Sequence, residues 1–318
     1  MAHSVSVIIA TRNRPAFLKE TLTDIARQNC RPDEVIVVDA SEQLDTKTVV
    51  ETSGSAVPVR YIHSTIPSAA RQRNVGAAYA HGDLLMFLDD DVSLDGGFIK
   101  HVVSVFDADH EGKVGGVTGT IANESFQEMS WFNTALLRLC LGVSRHEEFA
   151  GRVLGPAVNF SPRDLGDQGN QTVEWMAGVC ATYRRNLFLE ERFPEHYRGY
   201  SFAEDLHLSL RIARRARLVC SGGARLIHRD GGKGQARDWV ALGNSIVRHR
   251  YEIMTSLLGK RSMGMKLRLL FYEGVYHALV VVREAWRTRD GNLLKLQLGR
   301  MEGLARVLSP GYKVGMSE

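Results

Sequence analysis

Residues 84–91 read Leu-Leu-Met-Phe-Leu-Asp-Asp-Asp. Five apolar residues in succession, without polar alternation, describe a strand buried on both faces. The run stops abruptly at three carboxylates. Working outward toward the N-terminus, the pattern repeats. Residues 5–10 are a β-branched run, followed by the polar loop Thr11-Arg12-Asn13-Arg14 and by Pro15. Proline suits the first turn of a helix, where its missing N–H costs nothing. Phe17, Leu18, Leu22 and Ile25 give that helix an apolar stripe. Glu34–Asp39 (EVIVVD) is another buried strand that ends in a carboxylate, residues 59–62 make a weaker one, and residues 69–80 read as a helix. Strands alternating with helices predict an α/β, doubly wound, mostly parallel sheet. Such sheets hold ligands beyond the carboxyl ends of their strands. The Thr11–Arg14 loop, Asp39 and Asp89-Asp90-Asp91 are therefore predicted to meet on one edge.

The second half of the sequence is less regular. Residues 125–141 read as a helix with Trp131, Phe132, Leu136, Leu137 and Leu141 apolar, and 166–172 (GDQGNQT) as a loop. A clear helix is expected over 203–216, with Leu206, Leu210 and Ala213 at helical spacing and Arg214, Arg215 and Arg217 near the end where cations suit the dipole. Gly231-Gly232-Lys233-Gly234 reads as a loop, and 239–308 as two or three amphipathic helices.

The chain has 318 residues, 44% hydrophobic and 24% charged. That is enough to bury a sizeable core, and the composition is not that of a disordered chain. A net charge of +4 is too small to argue for nucleic acid, and no such partner is expected. From Asp238 onward, 13 Lys and Arg face 7 Asp and Glu, so a basic C-terminal segment follows a slightly acidic body. The cysteines at 30, 140, 180 and 220 form no C-x-x-C pair or zinc spacing, which fits reduced, buried thiols in a cytoplasmic protein. No signal-peptide pattern opens the chain, and no apolar run approaches the ~20 residues of a transmembrane helix.

Three features carry chemistry. Adjacent aspartates repel, and either a turn exposed to water or a hard divalent cation with oxygen ligands relieves them. Glu204-Asp205 opens a helix, either as favourable dipole chemistry or as a general base that the dipole holds ionised. His228 follows an apolar pair, either as a structural residue or as a neutral metal ligand.

Their order is more specific than any one of them. S-V-I-I-A-T-R-N-R-P, E-V-I-V-V-D, A-R-Q-R-N-V-G-A-A, L-M-F-L-D-D-D, W-M-A-G, A-E-D-L-H-L-S-L-R and A-R-L-I-H follow one another between Val5 and His228. This series resembles the family 2 inverting glycosyltransferases of the GT-A fold over about two-thirds of the chain. The resemblance implies a nucleotide-diphosphate sugar donor, UDP or dTDP, a glycan or lipid-linked acceptor, and Mn²⁺ or Mg²⁺. It implies a catalytic domain over 1–236, with a nucleotide-sugar half over 1–120 and an acceptor half over 121–236, and a basic amphipathic helical extension over 237–318. By the same resemblance, Thr11 and Arg14 line the nucleotide and Asp39 bonds the base. Arg73, with Arg71 sharing the task, lies near the phosphates. Asp89 contacts ribose or sugar, and Asp90 belongs to the same donor cluster. Asp91 and His228 hold the metal, and Trp175 and Met176 floor the acceptor pocket. Asp205 is the base, and Glu204 orients it or binds an acceptor hydroxyl. One departure is Ala40-Ser41-Glu42 after the second strand, where the family usually has Asp/Asn-Gly-Ser.

A nucleotidyltransferase shares the sheet and the acidic ligands, but its glycine-rich phosphate loop has no counterpart at Thr11-Arg12-Asn13-Arg14-Pro15. A non-catalytic sugar-nucleotide-binding protein on the same scaffold is the other alternative; retention of both acidic motifs argues against it. A dehydrogenase fails for want of G-x-G-x-x-G after the first strand. Residues 265–286 place Leu267, Leu270, Phe271, Ala278, Val282 and Trp286 on one side of a basic helix. Such a helix either packs on protein or lies on the inner face of an anionic membrane.

Overall fold

The computed structural model describes residues 3–54, 56–167, 169–197, 202–229, 238–312 and 314. In chain order the elements are β1 (Val5–Thr11), α1 (Pro15–Ala26), β2 (Glu34–Asp39), α2 (Asp45–Glu51), β3 (Val59–His63), α3 (Ala69–Tyr79), β4 (Leu84–Asp89), β5 (Val92–Leu94), α4 (Phe98–Asp107), β6 (Val114–Ile121), α5 (Trp131–Leu141), β7 (Val153–Leu154), β8 (Val158–Asn159), β9 (Asn170–Val173), β10 (Cys180–Arg184), α6 (Arg185–Glu191), α7 (Glu204–Ile212), β11 (Arg217–His228), α8 (Trp239–Glu252), α9 (Met263–Leu270), α10 (His277–Thr288) and α11 (Gly291–Leu308). π-helical turns over Ile253–Leu257 and Phe271–Tyr276 extend α8 and join α9 to α10. The expected loop at 231–234 lies outside the described residues.

Among the described residues nine strands share one sheet, in the order β3-β2-β1-β4-β10-β6-β11-β5, with β9 paired to β11. The β3-β2-β1-β4 part is wholly parallel, as the strand–helix alternation predicts. Its side chains alternate between two cores. Val7, Ile9, Val35, Val37, Met86 and Leu88 meet α1 and α4 on one face. Ile8, Ile36, Val38, Leu85 and Phe87 meet α3, α6 and α7 on the other. Burial on both faces is why these strands read as unbroken apolar runs. Gly76 lets α3 approach closely, since a Cβ there would stand 2.5 Å from the Ile8 methyl.

Several expectations shift. The segment 166–172 is not all loop, because Asn170–Val173 forms β9 against β11. The helix expected from 125 starts at Trp131, where the Ser130 hydroxyl caps the Asn133 N–H. On it, Trp131 and Phe132 are exposed, and Leu137, Cys140 and Leu141 form the buried side. The helix over 203–216 is confined to Glu204–Ile212. Among the described residues the C-terminal region holds four α-helices. The cysteines are free thiols, three buried and one partly so.

Two compact units divide the chain. The first holds 1–126, 161–195 and 204–233, and so the whole sheet; the second holds 127–160, 196–203 and 234–318. The second therefore draws in chain N-terminal to the expected 236/237 boundary. Within it α8 packs along α11, and Glu273 lies fully buried between Arg250 (Nε to Oε1, 2.8 Å) and Arg300.

Candidate active site

Parallel register builds the edge. Thr11 pairs with Asp39 across β1 and β2, and Ala10 with Asp89 across β1 and β4. The three segments flagged in the sequence therefore end side by side.

The three aspartates separate into different roles. Asp90 is buried, 3% exposed. Its Oδ2 accepts from the Thr11 hydroxyl (2.5 Å) and its Oδ1 from Arg14 Nη1 (3.0 Å). Asp90, expected among the donor contacts, braces the Thr11–Arg14 loop. Neighbouring carboxylates repel, and the Arg14 guanidinium set between Asp90 and Asp91 relieves them. Burial pushes its carboxyl up to about 6, against the pull of Thr11 and Arg14. Arg14 also donates to Asp91 Oδ2 at 3.1 Å, so its one guanidinium compensates two of the three charges.

Asp91 meets His228 because β11 runs antiparallel to β5, with His228 opposite Val92. Asp91 Oδ1 and His228 Nε2 lie 3.2 Å apart, and His228 Nδ1 lies 2.6 Å from Glu124 Oε1. These carboxylates push the imidazole up to about 10. Ligand atoms of Asp89, Asp91 and His228 all fall within 4.8 Å of one another. Two carboxylate oxygens and one imidazole nitrogen are a donor set that suits Mn²⁺ or Mg²⁺. Geometry thus adds Asp89 to the expected pair, and Glu124 as the partner that orients His228.

Asp39 is fully buried at the end of β2. Its Oδ1 accepts from the Ser41 N–H (2.9 Å) and hydroxyl (2.5 Å), and its Oδ2 from the Tyr61 hydroxyl (2.9 Å). Burial and this carboxylate push Tyr61 up to about 12. The unusual Ala40-Ser41-Glu42 loop thus supplies the hydroxyl that holds Asp39. Oδ1 thus accepts two bonds and Oδ2 one, so Oδ2 keeps a lone pair for a ligand N–H.

Arg73 was expected beside the phosphates. It is buried, and links the two acidic motifs instead: Nη2 donates to Asp89 Oδ1 (2.6 Å) and Nη1 to Glu204 Oε1. Nη2 also reaches Gly178 O at 3.3 Å. Arg71 is half exposed and pairs with Glu195 at 3.7 Å. Asp205 accepts from the N–H groups of Gly178 (3.0 Å) and Leu206 (2.7 Å). The helix dipole was expected to hold Asp205 ionised. Burial outweighs it and pushes the carboxyl up, although both N–H groups and Arg73 pull it down. Trp175 is 8% and Met176 1% exposed. Met176 belongs to the core below the site, with its N–H on Ser209 Oγ at 3.0 Å.

Ser41, Tyr61, Glu124 and Gly178 escaped the sequence reading. Only Ser41 carried a local signal, a hydroxyl two residues after the strand-end carboxylate.

Comparison with known proteins bears on the fold and the family. An uncharacterized glycosyltransferase of Haemophilus influenzae is 41% identical over 88 residues, covering 27% of this chain and 29% of that protein. A GalNAc(5)-diNAcBac-PP-undecaprenol β-1,3-glucosyltransferase of Campylobacter jejuni is 24% identical over 200 residues, 61% of this chain and 56% of that one. The matched region thus spans between about a quarter and just over half of these relatives' length. The fold is similar to that of a mannosyltransferase from Pyrobaculum calidifontis, solved with GDP-Man and Mn²⁺, with a TM-score of 0.56, 16% identity and coverage of 96% of this chain and 88% of that one. The architecture is GT-A. The model of the family described as glycosyl transferase family 2 matches residues 6–189, more than half of the sequence, and the chain belongs to that family.

Proposed function

We propose that this protein is an inverting glycosyltransferase that moves a sugar from a nucleotide-diphosphate donor, UDP or dTDP, to an acceptor hydroxyl. The acceptor is a glycan or a lipid-linked glycan in bacterial cell-surface synthesis. The observation that supports the reading is that Asp89 both clusters with Asp91 and His228 and is linked through Arg73 to Glu204, the neighbour of Asp205.

The donor's base and ribose fit the Asp39 and Thr11–Arg14 side. A Mn²⁺ or Mg²⁺ held by Asp89, Asp91 and His228 would neutralise charge on the diphosphate. Asp205 takes the acceptor proton as the acceptor oxygen bonds the anomeric carbon. The bond from that carbon to the diphosphate oxygen breaks, and the nucleotide diphosphate leaves with the electron pair. The raised carboxyl makes Asp205 a stronger base than an exposed aspartate, which favours proton transfer. Glu204, fixed by Arg73, holds the helix start that presents Asp205. Trp175 stands on the acceptor side, with Met176 beneath it.

The test is Asp205→Asn. Donor binding, read as a thermal shift with UDP and Mn²⁺, should persist while transfer falls by ~10²–10⁴-fold. Near-normal transfer by the variant would refute the base assignment. Full activity in a chelator would refute the metal, and a thermal shift with GDP but not UDP would overturn the donor class.

A further inference from the structure

The helix running through α9 and α10 is apolar on two opposite sides, and only one is covered. Leu269, Tyr272, Val281 and Ala285 are buried within the second unit. Opposite them Leu267, Phe271, Val275, Leu279, Val282 and Trp286 follow at spacings of three or four residues, all exposed, with Leu279 at 58% and Trp286 at 85%. Three- and four-residue spacing puts them in one row, about 29 Å long at the rise of an α-helix. Of the side read from the sequence, Leu267, Phe271, Val282 and Trp286 belong to this row, and Leu270 and Ala278 are half-buried.

Charge decides what covers this row. Residues 260–289 hold seven Lys and Arg and two Asp and Glu. Of those two acids, Glu273 is fully buried between Arg250 and Arg300, which leaves Glu284, and Asp290 just after Arg289, against the seven cations. The cations stand at both ends. Lys266 and Arg268 lie near the start of the row, and Arg283, Arg287 and Arg289 surround Trp286. A second copy paired through this face, parallel or antiparallel, would set one cationic end against another. A flat anionic surface meets both ends favourably. Tryptophan at the end of the row and long basic stems beside it are what a water–lipid boundary selects. Among the described residues no helix is long and apolar enough to cross a membrane, so the helix would lie in the interface plane.

We propose that the Leu267–Trp286 face is a docking surface for an anionic lipid bilayer. The surface stands on helix geometry and charge, independently of the transfer reaction proposed above.

The test is co-sedimentation of the full chain with vesicles of phosphatidylcholine alone or mixed with phosphatidylglycerol. Binding is expected to the mixed vesicles only, and to weaken with salt. Leu279→Glu/Trp286→Glu should abolish it. Arg283→Gln/Arg287→Gln/Arg289→Gln should lower it by about a hundredfold, at about fivefold per arginine near the surface. All five residues are largely solvent-facing, so unchanged circular dichroism and melting are expected alongside. Donor hydrolysis in solution should also be unchanged, which separates this surface from the active site. No sedimentation with mixed vesicles would overturn the proposal. So would equal binding by the Leu279/Trp286 variant, or a dimer that this variant splits while vesicle binding is absent.

Discussion

Arg73 offers the sharpest test of the site, because its removal acts on stability and on chemistry in different ways. The guanidinium is buried, bonded to Asp89 and Glu204, and lies over the Phe193 ring at 5.3 Å. Arg73→Met keeps the bulk and deletes the charge. Breaking a buried ion pair from one side costs about 3–5 kcal/mol. In a protein of 318 residues that lowers the melting temperature by roughly 4–8 °C. The second effect is electrostatic. Arg73 bonds the Gly178 carbonyl and Asp205 accepts from the Gly178 N–H, so both groups touch one residue. A unit charge at an effective dielectric of about 20 is worth about 1.4 kcal/mol out to about 12 Å, and 1.4 kcal/mol is about one pKa unit. Arg73 pulls the Asp205 carboxyl down; without it, that carboxyl rises further. A base acts ionised, so the acid limb of the rate profile should move to higher pH by about one unit or more. Arg73→Lys should return the limb while restoring only part of the stability, since one ammonium cannot bridge two carboxylates as a planar fork does. The assay is the pH dependence of kcat for sugar transfer beside the melting curve. A Met variant that melts early but keeps the wild-type acid limb would show that Arg73 is only a structural clamp.

Three further outcomes are expected. Glu273→Ala leaves the buried Arg250 and Arg300 facing each other, and should destabilise the second unit by about 3–5 kcal/mol, measured by urea unfolding; an unchanged midpoint would refute that role. His249 and His277 are held neutral by burial, pushed down to about 4 and about 3 from an ordinary 6.5. In that window the unfolded chain binds the extra protons. Stability is therefore full above pH 6.5 and falls with acid by up to about 1.4 kcal/mol per pH unit per histidine; a flat thermal-melting profile between pH 6.5 and 5 would contradict the burial of both rings. Tyr61→Phe removes the hydroxyl on Asp39 Oδ2. It should cost about 1–3 kcal/mol and weaken nucleotide binding, measured by titration calorimetry with UDP, while leaving the acid limb of kcat in place.

What the sequence disclosed follows the physics of each element. β1, β2 and β4 were legible because burial on both faces leaves no polar residue to interrupt the run. β6 reads Val-Gly-Gly-Val-Thr-Gly-Thr-Ile, and its glycines hide a strand whose identity comes from neighbours. At Gly116 a Cβ would stand 2.6 Å from the Met176 methyl, and at Gly119 2.4 Å from the Phe98 ring. β9 reads as a loop for the same kind of reason, since its polar residues become a strand only against β11. The aspartate cluster was visible from its place at a strand end. That Asp90 faces Arg14 and Asp91 faces His228 was not, because it depends on a turn and on the antiparallel register of β11 with β5. The same limit applied to Arg73, whose motif marks it as near the donor, although the charges that surround it come from β4 and from α7 across the sheet edge. Periodicity names the faces of an element, and only the neighbours say which face is used. In α9 and α10 there are two apolar faces and one set of protein neighbours, which is why the uncovered row points to a surface outside the chain.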